Sequence, residues 1–341
     1  MHSLSSRIAA TCLGILVTCA AMAPGVRAAA RDGTQYLVPV GHTVGVKLFS
    51  DGVLVVGLSD GETPAKESGL REGDILLSFN GTDVDSTEHL QRLLSENGEA
   101  VATINVKRGA KTLTLRVTPE AGEDGVCRLG AWIRDSMAGI GTMTFYDPVS
   151  GVFGSLGHGV TDVDTGALMP LEHGSIMDAT VKAVKRGESG SPGELRGDFD
   201  LTRDSGSLYA NTDCGLFGVI EGESNAITAR QPVPVAGRDE VTTGDAVILA
   251  NCGGDEVREY QISIERIYSG SSPTRNMLIR ITDPELLAQT GGIVQGMSGS
   301  PILQNGKLVG AVTHVLVGDA ERGYGIFIEN MLDAAGLPAA K

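Results

Sequence analysis

Short apolar runs separated by turn residues dominate the chain from about residue 34 onward. In its first part, Gly, Asn and Asp separate four strand-like runs: 53–56, 74–79, 101–106 and 112–117. One amphipathic helix follows the second run, with a Ser-Thr pair as its cap and Leu90, Leu93 and Leu94 on one face. The pattern predicts a small α/β domain, to which we assign residues 34–120.

The second part repeats the strand pattern with few helical interruptions. The apolar runs are 141–146, 180–184, 216–221, 246–250, 260–267, 277–281, 301–304, 308–317 and 324–328. Asn305-Gly306 is a two-residue hairpin turn between two of them, and only 283–290 and 330–335 are candidate helices. We expect a mostly β domain over 128–335, a closed or nearly closed antiparallel architecture such as a pair of barrels.

The N-terminal segment has a different pattern. Arg7 precedes an apolar run from Ile8 to Met22, and Val26-Arg27-Ala28 offers small residues to a signal peptidase. We therefore interpret residues 1–28 as a signal peptide cleaved near Ala28. An uncleaved membrane anchor is the alternative, since the run is close to the minimum of roughly 18 residues for a span.

Composition narrows the function classes. The 341 residues contain 42 acidic and 27 basic side chains, a formal charge of −15, so a nucleic-acid partner is not expected. Removing residues 1–28, which contain two Arg and no acid, makes the charge −17.

Cofactor motifs are lacking from the sequence. Cys127, Cys214 and Cys252 would remain after export, and spacing alone does not decide whether Cys214 and Cys252 form a bridge. The chain has no C-x-x-C pair, P-loop or dinucleotide motif. We expect no cofactor and no metal.

The most specific stretch of the first domain is Ser68-Gly69-Leu70-Arg71-Glu72-Gly73-Asp74-Ile75-Leu76, followed by Asn80-Gly81. It resembles the G-L-x-x-G-D-x-I-x-x-x-N-G signature of PDZ domains, which bind a peptide C-terminus or extended segment by strand addition. The matching peptide-binding loop would be Val44, Gly45 and Val46. A degenerate PDZ domain that only packs or regulates is the alternative.

The segment Gly296-Met297-Ser298-Gly299-Ser300-Pro301 has the features of a nucleophile turn. A reactive serine needs an exposed hydroxyl on a tight turn, beside backbone N–H groups that stabilise an oxyanion. Ser298 is the candidate nucleophile, and the N–H groups of Gly296 and Ser298 are the candidate oxyanion hole. The hairpin that follows resembles the nucleophile region of chymotrypsin-like serine proteases, whose second strand pairs with substrate.

His158 is the candidate general base. It lies between two glycines in Leu156-Gly157-His158-Gly159, where neighbours leave the ring free to accept the serine proton. The remaining histidines of the exported part are assigned to structural or surface positions: His42, His89, His173 and His314. The carboxylate that would orient His158 stays open at this point among Asp162, Asp164, Asp213 and Asp283. Chymotrypsin-like spacing favours Asp213.

Taken together, the motifs resemble one family, the stage IV sporulation protein B (SpoIVB) serine peptidases of endospore-forming bacteria. The matching segments are 37–45, 139–148, 156–166, 193–197 and 295–301. The resemblance implies a chymotrypsin-like double β-barrel with a PDZ domain. It also implies a catalytic triad of Ser298, His158 and the aspartate of Ile281-Thr282-Asp283-Pro284, namely Asp283.

The resemblance further implies a place and a substrate. Such a protein is exported to the space between mother cell and forespore, where it cleaves itself and then a membrane-bound regulator. That cleavage releases an intramembrane protease and activates a late mother-cell sigma factor.

Two other function classes remain open. The H-x-x-x-D-x-D cluster of His158, Asp162 and Asp164 would suit a metal-dependent hydrolase, although D-x-D in a glycine-rich loop is common turn chemistry. The other is a catalytically inert PDZ-containing scaffold.

Overall fold

The computed structural model describes residues 34–221, 230–270 and 272–338, so the predicted signal peptide lies outside the described residues. In chain order its strands are β1 (Tyr36–Pro39), β2 (Thr43–Leu58), β3 (Ile75–Phe79), β4 (Thr82–Asp83), β5 (Ala102–Arg108), β6 (Lys111–Val117), β7 (Glu120–Ala121), β8 (Cys127–Arg128), β9 (Ala131–Tyr146), β10 (Val152–Ser155), β11 (His173–Lys185), β12 (Glu194–Thr212), β13 (Gly215–Ile220), β14 (Val233–Pro234), β15 (Gly244–Ala250), β16 (Arg258–Ile267), β17 (Met277–Ile281), β18 (Pro301–Gln304), β19 (Lys307–Leu316) and β20 (Asp319–Phe327). The helices among these residues are α1 (Pro64–Ser68), α2 (Thr87–Asn97), α3 (Pro284–Thr290) and α4 (Ile328–Ala335), with a 3-10 turn at Arg238–Glu240.

Six antiparallel strands close the first barrel. Its order around the ring is β2, β9, β10, β13, β12 and β11, and β11 pairs with β2 to close it. The core is apolar, with Val44, Met143, Phe153 and Ile176 each fully buried. Alternation along β2 places Val44, Val46 and Leu48 inside this core, which explains why this segment forms a barrel strand.

The PDZ domain is inserted between the first two strands of this barrel. Residues 53–58 of β2 pair with the start of β9 and with β3, and β5 and β6 continue that sheet. Helix α2 covers the sheet with Leu90 and Leu94 in the domain core. Asp74 is completely buried and accepts hydrogen bonds from Arg108 Nε and Nη2, both at 2.6 Å.

The prediction that residues 44–46 form the peptide-binding loop of the PDZ domain is wrong. Val44, Gly45 and Val46 lie in β2, hydrogen-bonded between β9 and β11 of the first barrel. Gly45 is needed there because a Cβ atom would lie 2.5 Å from the Phe199 ring. The predicted domain start at residue 34 fails for the same reason, since 34–49 contributes to the barrel and the PDZ core begins at Val53.

The second barrel is built from consecutive strands late in the chain. Its closed order is β15, β16, β17, β20, β19 and β18. Ile248, Ile262, Ile279 and Ile302 fill its interior. The two barrels confirm the predicted double-barrel architecture, although β2 lies outside the range predicted for the peptidase domain.

The described residues contain three cysteines, and none of them is in a disulfide. Cys127, Cys214 and Cys252 are free thiols, so the bridge left open between Cys214 and Cys252 is not formed. Burial raises the pKa of Cys252 to about 12. Among the described residues, no helix combines the length and apolarity needed to cross a membrane.

Candidate active site

A cavity of about 740 Å³, here called the interbarrel cleft, lies between the two barrels. The side chains with catalytic chemistry that line it are Ser298, His158, His314 and Asp213. Much of the remaining lining is apolar, including Met137, Ile140, Leu156, Val160, Ile293 and Val294. The cleft therefore unites the predicted nucleophile and base, although they come from different barrels.

Tight turns hold Ser298 at the cleft. Gly296 and Gly299 have φ angles of +98° and +97°, which side-chain-bearing residues rarely adopt. A Cβ atom at Gly299 would also lie 2.0 Å from the Thr142 carbonyl oxygen. Thr142 of the first barrel bonds this turn twice: its N–H donates to the Ser298 carbonyl (3.0 Å) and its Oγ1 to the Gly296 carbonyl (2.7 Å).

The predicted oxyanion hole consists of two unused N–H groups. Within the described parts of the chain, neither the Gly296 nor the Ser298 N–H donates a hydrogen bond to a protein acceptor. The neighbouring N–H groups of Met297 and Gly299 do donate, to the Val294 and Val312 carbonyls. Free donors beside a candidate nucleophile match what acyl-transfer chemistry requires.

The Ser298 hydroxyl donates to the Thr313 carbonyl at 2.7 Å. Thr313 lies on β19, the strand directly after the Asn305-Gly306 turn. The hydroxyl must therefore leave this carbonyl before it gives its proton to His158.

His158 follows β10 in a turn in which Leu156 and Gly157 both have φ of +68°. Its Nδ1 lies 2.8 Å from the Gly159 carbonyl oxygen, which accepts the Nδ1 proton. That bond selects the tautomer in which Nε2 is free to accept a proton. Burial lowers the pKa of His158 from its ordinary value of 6.5, so the ring is neutral at pH 7.

His314 lines the cleft, although its sequence context predicted a structural or surface position. Its ring centroid lies 4.9 Å from that of His158, with 35° between the ring planes. Burial, followed by the charges of His158 and Arg275, lowers the pKa of His314 to about 4. The available signal was its position on the second strand of the hairpin after Ser298, because the resemblance to chymotrypsin-like proteases implies that this strand pairs with substrate.

The structure does not bring Asp283 to His158. Asp283 is the N-cap of α3, where its Oδ1 accepts the N–H groups of Glu285 (2.9 Å) and Leu286 (3.0 Å). It is absent from the lining of the interbarrel cleft. The family-implied acid therefore has a structural role in this conformation.

The other candidate carboxylates divide into two groups. Asp162 is fully buried, pairs with Arg134 and accepts the Thr165 N–H at 3.0 Å, while Asp164 lies 3.2 Å from Arg134. Asp213 lines the cleft from the turn between β12 and β13, but its side chain is exposed. No carboxylate in the described residues hydrogen-bonds His158; the Gly159 carbonyl takes that place.

The same contacts bear on the metal-hydrolase alternative. The oxygens of Asp162 are used by Arg134 and by the turn at Thr165, and Nδ1 of His158 is used by Gly159. The described residues contain no group of three or more His, Cys, Asp or Glu side chains placed to share a metal ion.

The PDZ domain has a candidate peptide edge away from the predicted loop. Residues 131–134 of β9 pair with β2 on one side, and no described strand pairs with their other edge. Helix α2 contacts β9 nearby. Thr87 at the start of α2 donates its N–H (2.7 Å) and Oγ1 (2.6 Å) to Asp135, and Gln91 reaches the Cys127 carbonyl at 3.3 Å. Nδ1 of His89 lies 2.8 Å from Asp85 Oδ1.

Comparison with known families settles the relationship. The family model described as SpoIVB peptidase S55 matches residues 125–332, more than half of the chain. The chain belongs to the SpoIVB peptidase S55 family. A PDZ domain model matches residues 56–108. These matches confirm the family suggested by the motifs, together with its enzyme class of serine endopeptidase.

Individual relatives of this S55 chain match over shorter stretches. The Regulator of sigma-W protease RasP from Bacillus subtilis is 35% identical over 98 residues, 28% of this chain and 21% of that protein. Serine protease HTRA1 from Xenopus tropicalis is 34% identical over 59 residues, 17% of this chain and 13% of that protein. The chain thus spans about a fifth or less of the length of these relatives.

Two solved structures are also similar. The Rv3671c protease from M. tuberculosis in its active form gives a TM-score of 0.34 at 18% identity, covering 60% of this chain and 77% of that one. The HtrA-type protease AlgW with a decapeptide gives 0.35 at 10% identity, covering 87% and 64%.

Proposed function

We propose that this S55 family member is a serine endopeptidase that uses Ser298 as nucleophile and His158 as general base. One observation carries the proposal: a single cleft holds the Ser298 hydroxyl, a neutral histidine with Nε2 available, and two unused backbone N–H groups. This is the set of groups that acyl transfer to serine needs.

The steps follow from these groups. Ser298 Oγ attacks the carbonyl carbon of the scissile amide while its proton passes to His158 Nε2. The N–H groups of Gly296 and Ser298 stabilise the oxygen as it becomes negative. The tetrahedral species expels the amine, which takes the proton from His158. Water then hydrolyses the acyl-enzyme by the same steps, with His158 again as base.

Labelling with a serine-directed fluorophosphonate tests the proposal. Ser298 should carry the label, and Ser298→Ala should lose both labelling and peptide cleavage. Ser300→Ala is the matched control, because Ser300 lies in the same motif but is fully buried. Labelling retained in Ser298→Ala at another residue would overturn the assignment, and an unreactive, folded wild-type protein would favour the scaffold alternative.

We infer the biological role from the family. The proposal is that the exported protein acts between forespore and mother cell, cleaves itself, and then cleaves a membrane-bound regulator. That cleavage would activate an intramembrane protease and a late mother-cell sigma factor. The family match and the signal-like segment 1–28 support this role.

Two measurements test that role. Self-cleavage should produce fragments from the wild-type protein and none from Ser298→Ala during export in cells. Fractionation of sporulating cells should place the wild-type protein outside the cytoplasm of the mother cell. Cytoplasmic retention, or unchanged self-cleavage in Ser298→Ala, would contradict it.

The PDZ domain is proposed to hold a peptide or protein partner at the edge formed by β9 and α2. Strand addition there would use the edge of residues 131–134 that β2 leaves unpaired. Trp132→Pro, at an exposed position of that edge, should weaken binding of a peptide ligand, whereas Val46→Ala, in the first barrel, should not change it.

A further inference from the structure

The hairpin formed by β11 and β12 reaches out of the first barrel and onto the second. We call residues 185–195 the hairpin tip. Two apolar side chains of this hairpin, Val181 and Leu195, are buried in the hydrophobic core of the second barrel, at 3% and 6% exposure. The hairpin is therefore a structural part of both barrels.

Backbone hydrogen bonds join the hairpin tip to the segment that leads to Ser298. The Gly187 N–H donates to the Thr290 carbonyl, and the Gln295 N–H donates to the Gly193 carbonyl, both at 2.8 Å. Further along, the Leu195 N–H donates to the Gln295 carbonyl, also at 2.8 Å. These three hydrogen bonds hold residues 290–295 against the hairpin tip of the first barrel.

The last of these bonds acts on the oxyanion hole. The Gln295 carbonyl and the Gly296 N–H belong to one planar trans peptide unit, so they point in opposite directions. The bond from Leu195 fixes the carbonyl, and it thereby fixes the direction of the Gly296 N–H. A flipped peptide would lose the Leu195 bond and turn the donor away from the cleft.

The Leu195 side chain also packs against Gly296, the second residue of this peptide unit. A Cβ atom at Gly296 would lie 3.0 Å from Leu195 Cβ, so the two residues are in close contact. Two bonds within the second barrel also hold this segment: the Ile293 N–H donates to the Ala320 carbonyl at 2.7 Å, and the Met297 N–H to the Val294 carbonyl at 3.1 Å. From the first barrel, Gly296 is thus contacted by Leu195 on its Cα side and by the Thr142 hydroxyl at its carbonyl.

We propose that the hairpin tip forms the oxyanion hole by orienting the Gln295–Gly296 peptide, with Leu195 as the positioning residue. This inference rests on the proposed peptidase function and deepens it. It makes the oxyanion hole of the second barrel dependent on a hairpin of the first.

Leu195→Ala in the full-length protein tests the inference, with Val181→Ala as the matched control. Both substitutions truncate a buried side chain of the same hairpin in the same core, but the three atoms nearest to a Cβ at Gly296 all belong to Leu195. Because loss of one oxyanion donor costs roughly 10²–10³ in kcat, partial misorientation should lower kcat about 10- to 100-fold. KM should change less than about threefold, since ground-state binding does not use this donor.

A peptide boronate supplies a readout that a purely structural role would not move. Its tetrahedral adduct uses the oxyanion hole, so its affinity should fall in parallel with kcat in Leu195→Ala and recover in Leu195→Met. Binding of the matching non-covalent peptide should stay unchanged.

Three outcomes would overturn the inference. The first is a lowered melting temperature in Leu195→Ala with kcat and boronate affinity preserved below it. The second is an equal loss of kcat in Val181→Ala. The third is a folded wild-type protein that reacts with neither boronate nor fluorophosphonate, and it alone would also overturn the proposed function.

Discussion

The two barrels have the same number of strands but differ in how far those strands extend. In the first barrel, β2 and β9 have 16 residues each, β11 has 13 and β12 has 19. In the second, the longest strands, β16 and β19, have 10 residues each, and β18 has four. The long strands leave the first barrel at two places, to build the PDZ sheet and to reach the second barrel.

The two barrels also contribute different groups to the candidate active site. The second barrel carries Ser298 and its free N–H groups on a turn, and His314 on β19. The first barrel supplies His158 and the contacts from Thr142 and Leu195 that join it to the nucleophile turn. Neither barrel alone contains a complete site, so activity should depend on their packing against each other.

The largest expected effect comes from removing what the first barrel contributes to the chemistry. His158→Ala should lower kcat/KM by at least about 10³-fold, because the serine loses its proton acceptor. Peptide cleavage by the purified protein measures it. His173→Ala is the control, since His173 is exposed and stacks on Phe49 away from the cleft. Activity retained in His158→Ala would mean that the second barrel suffices.

Next in size is a test of the connection to the PDZ domain. Arg108→Ala leaves the Asp74 carboxylate buried and without its cation, which should cost about 3–5 kcal/mol of stability. Because β2 and β9 belong to both units, we expect the PDZ domain and the first barrel to lose protection together in hydrogen exchange. Arg128→Ala, the control, removes an exposed pair with Asp124 and should leave stability nearly unchanged, because solvent and salt screen such a pair. If the PDZ domain of Arg108→Ala melted separately while the enzyme kept full activity, the proposed connection would be contradicted.

The pH profile tests what surrounds His158. Burial lowers its pKa below 6.5, so the neutral base persists at pH 7 and is lost as the pH falls through that lowered value. The acid limb of kcat/KM should therefore have its midpoint below 6.5 and fall roughly tenfold per pH unit. A carboxylate beside the imidazole would instead raise the pKa, so a midpoint above 6.5 would show that an aspartate reaches His158 in the working enzyme.

The smallest effect concerns Asp283. Asp283→Ala should cost about 1 kcal/mol by uncapping α3, while Asp283→Ser, which also caps, should cost only a few tenths. Both should keep kcat within about threefold, because Asp283 lies outside the cleft lining. Thermal unfolding and kcat measured on the same samples separate the two roles. A loss of kcat in Asp283→Ser at unchanged stability would restore Asp283 as the catalytic acid.

Local chemistry made some features predictable. Ser298 and His158 lie in glycine-rich turns that are formed by residues adjacent in sequence, so the motif alone indicated them. Short strands joined by an Asn-Gly turn likewise indicated the second barrel. Asp283 also carried a local signal, since Asp-Pro-Glu is a typical helix start with an N-cap and Pro at the first helical position.

Long-range pairing was not predictable in this way. Residues 43–47 form a barrel strand because of β9 and β11, which are distant in sequence, and nothing local distinguishes them from a PDZ strand. The contact between His158 and His314 and the bond from Leu195 to Gln295 likewise depend on how two barrels meet.

Strand β9 has a geometric consequence of its own. Its first residues form the edge beside α2, and Met137, Ala138, Gly139 and Ile140 further along the same strand line the cleft. At about 3.3 Å per residue, Trp132 and Gly139 are roughly 23 Å apart along the strand. One strand therefore sets the spacing between the proposed peptide edge and the cleft: a polypeptide bound at that edge would need about seven extended residues to reach the part of β9 that lines the cleft.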